Sequence, residues 1–161
     1  MVMKKISLIG KNGVGEFALV DDEDYTRVSK LRWCVNNYGY AIRCIYLGKG
    51  KSQMIWMHRF VMGELDRKLE IDHKNNKKLD NRKINLRICS RRQNMMNRGL
   101  SKHNTSGFKG IVKSRDRWRA IMNFDGRKVH IGCFSTKEEA AKAYNKKAKE
   151  LYGEFAWLNP I

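Results

Sequence analysis

Apolar and polar positions alternate in short runs over the first third of the chain. Residues 4–9 and 16–20 flank the turn-forming Lys11-Asn12-Gly13, which predicts a β-hairpin. Tyr25, Val28 and Leu31 recur at three-residue spacing behind Asp21 to Asp24. That spacing predicts a short helix with negative charge at its N-terminus. Further strands are predicted at 33–35, 40–46 and 53–56, separated by Asn36-Asn37-Tyr38-Gly39 and Gly48-Lys49-Gly50. Residues 57–62 predict one or two helical turns ended by Gly63.

Residues 64–104 break this rhythm. They are dense in Asn, Lys, Arg and Asp and too poor in apolar residues to build a core, so the polar groups are expected to be solvated or to hold something. Strands are predicted around 71–73 and 85–89, followed by a helix opened by Ser90 with Gln93 three positions on. Residues 99–107 are the best linker candidate in the chain. Beyond it, 108–114, 118–124 and 128–134 read as strands, the last two joined by Asp125-Gly126, a pair suited to a type I′ turn. Thr136 and Glu139 form a capping box opening a helix to about residue 151, with Ala140, Tyr144, Ala148 and Leu151 on one face. The expected class is α+β: a small β-rich N-terminal region leading into a ββα unit, then a three-stranded antiparallel sheet packed on one helix. Two domains follow, 1–104 with the ββα core at about 69–98, and 105–161.

Charge changes the picture most. Among 161 residues, 34 Lys and Arg face 16 Asp and Glu, a net charge of +18. The basic excess is 5 in residues 1–63, 7 in 64–104 and 6 in 105–161, so folded faces rather than a tail must carry it. A polyanionic partner is expected, nucleic acid ahead of a membrane surface. No apolar run approaches the roughly 18 residues of a membrane span, and no signal peptide opens the chain, so a cytoplasmic protein is expected. Cys34, Cys44, Cys89 and Cys133 lack paired spacing and read as reduced, mostly buried thiols.

The sharpest chemistry lies in the middle segment: Ile71-Asp72-His73, then Asn81, Ile84-Asn85-Leu86 and Gln93-Asn94. This ordered set resembles the HNH nucleases, particularly phage and intron homing endonucleases with an Asn-terminated motif. His73, Asn85 and Asn94 match the three signature positions, and Trp56-Met57-His58-Arg59-Phe60 resembles the family's lead-in. The resemblance implies a ββα-metal unit in which His73 is the general base, Asp72 and Asn94 bind one divalent ion, and Asn85 orients the loop and His73. The chemistry is coherent. Neutral imidazole accepts a proton near physiological pH, and carboxylate and amide oxygens suit Mg2+ or Mn2+. His58 is expected to pack at the base of the unit, and Asn75, Asn76 and Asn81 to shape turns by side-chain to backbone bonds.

Residues 105–161 resemble an ethylene-response-factor-type (AP2/ERF) DNA-binding domain through Ser106-Gly107-Phe108-Lys109-Gly110-Ile111, Trp118-Arg119-Ala120, Ile131-Gly132-Cys133-Phe134, Glu138 to Tyr144 and Gly153 to Asn159. The chain carries Val112 and His130 where the plant domains have arginine and tryptophan, so base specificity does not transfer. Alternation assigns Trp118, Ala120, Met122 and Phe124 to the helix side, and Arg117, Arg119, Ile121 and Asn123 to the other. On the third strand, Lys128, His130 and Gly132 alternate with Val129, Ile131 and Cys133. The resemblance places Lys109, Arg119, Asn123, Lys128 and His130 on the DNA face. Lys113, Arg115, Arg117 and Arg127, near hairpin ends, could reach flanking phosphates.

The expected function is a site-specific, metal-dependent homing endonuclease of phage or mobile-element origin. It would act on double-stranded DNA as a monomer or weak dimer with one ion per site, and have no membrane or small-molecule partner. The rival is a non-catalytic DNA-binding regulator on a degenerate HNH scaffold.

Overall fold

The computed structural model describes residues 2–63, 66 and 68–161. It divides into two compact units, residues 1–91 and 92–161, described here in turn.

In the first unit, β1 (Met3–Ser7) and β2 (Phe17–Asp21) form the expected antiparallel hairpin. Helix α1 (Asp22–Ser29) opens with Asp22, Glu23 and Asp24 in its first turn, where the helix dipole favours negative charge. Strands β3 (Cys34–Val35), β4 (Ala41–Gly48) and β5 (Lys51–Trp56) make a three-stranded antiparallel sheet in that order, and α2 (Met57–Met62) ends at Gly63, whose φ of 84° suits a residue without a Cβ. Then come β6 (Glu70–His73) and β7 (Leu86–Cys89), paired antiparallel with Asp72 opposite Arg87 and His73 opposite Leu86. The unit boundary falls inside α3 (Arg91–Met96).

One core serves the whole unit. Ile6, Leu8, Ala18, Val20, Val28, Trp33, Ala41, Met57 and Val61 are buried together with Ile71 of β6 and Leu86 of β7. The middle segment builds no core of its own, as its composition led us to expect: it adds Ile71 and Leu86 to a core that the N-terminal elements supply. Backbone bonds tie the parts: Leu19 N donates to Leu79 O at 2.7 Å, and Asn81 N to Leu19 O at 2.8 Å. The side chain of Asp21 accepts from Lys83 N at 2.7 Å.

In the second unit, β8 (Ile111–Ser114), β9 (Arg117–Phe124) and β10 (Arg127–Phe134) form an antiparallel sheet in the order β10-β9-β8, packed on α4 (Lys137–Tyr152). The protein is α+β, as the pattern predicted. Asp125 and Gly126 have φ of 53° and 73°, the positive values a type I′ turn requires. Thr136 Oγ1 accepts from Glu139 N, and the Glu139 carboxylate accepts from Thr136 N, completing the capping box. Ala140, Ala141, Tyr144 and Ala148 are buried against Ile111, Ala120 and Met122. The helix lies so close that a Cβ on Gly110 would collide with the Tyr144 ring.

Three expectations are corrected here. Residues 99–107 are not a free linker: Asn104 Oδ1 accepts from Gly107 N at 2.7 Å, and Asn104 Nδ2 and Ser106 Oγ both donate to Phe108 O. Strict alternation fails on β10, where the register shifts between His130 and Gly132. This bulge puts Cys133 opposite Arg119, so it is exposed with its Sγ 3.6 Å from His130 Nε2, while Phe134 turns to the helix side. Cys44 is exposed too, so only Cys89 of the four thiols is buried and Cys34 is half-buried.

Candidate active site

His73 ends β6, where the chain turns away from the sheet, and is almost wholly buried. Its ring sits in an aromatic box: His58 meets it edge-on at 5.4 Å between centroids, and Tyr40 lies 5.9 Å away. Tyr40 and Trp56 also pack against His58, which therefore lies at the base of the unit as expected. Burial pushes both imidazoles down. For His58, burial is followed by the neighbouring charges of His73 and Arg59, and its pKa falls to about 3. For His73, burial outweighs the Asn81 hydrogen bond and the carboxylates of Asp72 and Asp80, which pull the other way. Both rings are thus neutral at physiological pH, and His73 holds a lone pair able to take a proton.

The loop from β6 to β7 is a hydrogen-bonded cage. Asn85, nearly buried, accepts from Asn75 N at 3.0 Å and donates to Asp80 O at 2.8 Å. Asp80, also buried, accepts from Arg82 Nε and Nη2, both at 2.7 Å, and from Asn75 Nδ2 at 3.0 Å. The Arg82 hydrogen bonds hold its carboxyl below the usual range. Asn85 thus organises the loop, but its amide does not bond His73. The amide beside that ring belongs to Asn81, with Oδ1 3.3 Å from His73 Nε2. Sequence reasoning assigned Asn81 to turn-shaping. Its donation to Leu79 O at 3.2 Å is a bond of that kind, but its contact with His73 lies eight residues away and leaves no local signal.

Asp72 is buried and faces Arg87, which donates from Nε at 2.8 Å and Nη2 at 2.6 Å to its Oδ2. Asn94 lies on α3. Among the described residues no group of three or more His, Cys, Asp or Glu could hold a metal ion, so a cation here would rely on few carboxylates and on amide oxygens. That donor chemistry suits a hard ion that keeps most of its waters.

On the second unit, Lys113, Arg115, Arg117, Arg119, Asn123, Arg127, Lys128 and His130 are all exposed. Arg119 and Cys133 pair across the sheet, as do Asn123 and Lys128, giving one polar, basic outer face. Lys109 departs from the expected set. Its ammonium donates to Met96 O at 2.8 Å and Arg98 O at 2.6 Å beside the Trp157 ring, and burial, then Arg98, lower its pKa to about 8. It holds backbone instead of facing outward. Nearby, Asn159 accepts from Lys109 N at 2.6 Å and donates to Lys109 O, while Asn145 on α4 bonds both the N–H and the carbonyl of Asn159.

Residues 49–96 match the family model described as HNH endonuclease, a stretch that holds His58, the β6–β7 cage and Asn94. The chain belongs to the HNH endonuclease family. It is similar over nearly its whole length to an uncharacterized HNH endonuclease of Acanthamoeba polyphaga mimivirus, 34% identical over 161 residues, spanning 96% of this chain and 80% of that protein. Protein 3.8 of Escherichia phage T7 is 31% identical over 96 residues, 58% of this chain and 78% of that one. An ethylene-responsive transcription factor of Arabidopsis thaliana is 30% identical over 72 residues, 44% of this chain and 17% of that protein. No solved structure matches significantly. No helix among the described residues is long and apolar enough to cross a membrane.

Proposed function

We propose that this nuclease is a metal-dependent DNA endonuclease of homing type, with site selection supplied by the sheet of residues 105–161 acting as an ethylene-response-factor-type reader of double-stranded DNA. The observation that carries the reading is the neutral, caged imidazole of His73, which is buried at a strand end and gripped by an amide. In this reading His73 takes the proton of the attacking water and Asn85 holds the loop in which that histidine sits, while Asp72 and Asn94 would be the residues to hold one Mg2+ or Mn2+. Such an ion, when bound, offsets charge growing on the leaving 3′ oxygen. Arg119, Asn123, Lys128 and His130 read the duplex, while Lys113, Arg115, Arg117 and Arg127 hold flanking phosphates. The exposed basic outer face and the similarity to a plant transcription factor support that assignment.

The pair between Arg87 and Asp72 favours the rival reading, a regulator that keeps the scaffold without cutting, because a guanidinium competes with a cation for the same carboxylate. One experiment separates the two. Supercoiled DNA carrying candidate target sites is incubated with Mg2+ or Mn2+ and either the native protein or His73→Ala. Metal-dependent nicking lost in the variant is the expected result. Tight binding to a cognate site with no cleavage in either metal would establish the regulator.

A further inference from the structure

We infer that the outer face of α4 is a second nucleic-acid surface, which grips the phosphate backbone of a duplex other than the one on the sheet, so that one molecule bridges two segments of DNA. The inference shares with the proposed function only the sheet as a DNA reader and needs no cleavage. Lys142, Lys146 and Lys149 are all exposed and line a groove of about 510 Å3 with Asn145, Leu158 and Asn159. Among the described residues, no carboxylate side chain lines it. At about 100° per residue, the three lysines centre about 160° around the helix from Ala140, Ala141, Tyr144 and Ala148, which are buried against the sheet. The lysine stripe and the basic outer face of the sheet therefore look away from each other, with the roughly 10 Å body of a helix between them. A straight duplex lying on one does not reach the other.

Helix stability does not account for the stripe. Lys149 lies in the last turn, where a cation answers the helix dipole, but Lys142 and Lys146 sit too far from that end to do so. Lys147 closes an ion pair with Glu150, whereas no ion pair among the described residues takes Lys142, Lys146 or Lys149. The groove is also built in advance. Asn145 accepts from Asn159 N at 2.7 Å and donates to Asn159 O at 2.9 Å, which staples the tail along α4 as a fixed wall. Asn159 is fastened in turn to Lys109 N and O, so little ordering remains to oppose binding. The spacing fits one ligand. Seven residues of helix carry the ammonium groups over about 10 Å, the rise of about three phosphates along one strand of duplex.

Two readouts on the full-length protein test this. In the first, the protein is loaded on beads carrying an immobilised duplex, and capture of a second, fluorescent duplex is measured. Native protein is expected to capture it. Replacing Lys142, Lys146 and Lys149 together by glutamine is expected to lower capture at least about fivefold with the amount of protein on the beads unchanged. A variant with the same charge loss at Lys5, Lys11 and Lys30, exposed lysines of the first unit, should stay within about twofold of native. No capture by native protein, native capture by the α4 variant, or an equal loss in both variants overturns the inference. The second readout needs no variant: lysine acetylation is mapped by mass spectrometry with and without excess duplex. Protection of Lys113 and Lys128 reports the sheet, and protection of Lys142, Lys146 and Lys149 reports the groove, so failure of one is distinguishable from failure of the other. Protection of both sets is the expected result. Protection of the sheet lysines alone, or of the groove by polyglutamate but not by duplex, would overturn it, the latter assigning the groove to an acidic peptide.

Discussion

At the residue scale, the two histidines of the box divide their work through burial. His58 has no exposed role, and its pKa near 3 means the folded state resists taking its proton. The unfolded chain takes that proton near pH 6.5, so it binds more protons below this value. Stability is then full above about pH 6.5 and drains away as pH falls toward 3, at up to about 1.4 kcal/mol per pH unit. Urea melts of native and His58→Leu protein between pH 7 and 4.5 check this, and the variant is expected to show the shallower decline. His73→Ala is expected to lower the cleavage rate at least about 100-fold while leaving DNA affinity near native, measured by nicking and by equilibrium binding side by side. Asn85→Ala strips partners from Asn75 N and Asp80 O in the loop cage. Its expected cost is about 1–3 kcal/mol, read as a lower urea midpoint.

At the element scale, Lys109 and Arg119 offer a contrast. Both were assigned to the DNA face, yet Lys109 binds two carbonyls and Arg119 projects from the middle of β9. Lys109→Met is expected to lower the melting temperature with DNA affinity nearly unchanged at fixed salt. Arg119→Ala should do the reverse, and thermal melts paired with binding titrations distinguish them. The difference shows which features the chain spells out locally. The hairpin turn at Asp125-Gly126, the capping box of α4 and the alternation on β9 each depend on residues a few positions apart, and all were legible. The His73 position was legible through its motif. The bulge on β10 was not, since one inserted residue inverts a face without changing composition. Nor was the tie from β2 to residues 79–81, because bonds spanning some sixty positions carry no periodicity. Asn81 looked like any loop asparagine for that reason.

At the scale of the molecule, the basic excess is neutralised unevenly. The acidic run of α1 is internally matched: Asp24 pairs with Arg27 and Lys83, and Glu23 with Lys83. The exposed arginines and lysines of the second unit's sheet are the phosphate contacts proposed above. Replacing Arg115 and Arg127 together by glutamine is expected to flatten the slope of log binding constant against log salt by about 2, as two fewer phosphate contacts would. The bulge on β10 has a practical corollary for the same surface. It leaves an exposed sulfur, Cys133, in the proposed DNA footprint, with the exposed Cys44 of the other unit as an internal reference. A maleimide label should therefore attach to both thiols in the apo protein, and a bound cognate duplex should shield position 133 alone. The fold thus carries its own chemical reporter of occupancy, with no engineered cysteine needed.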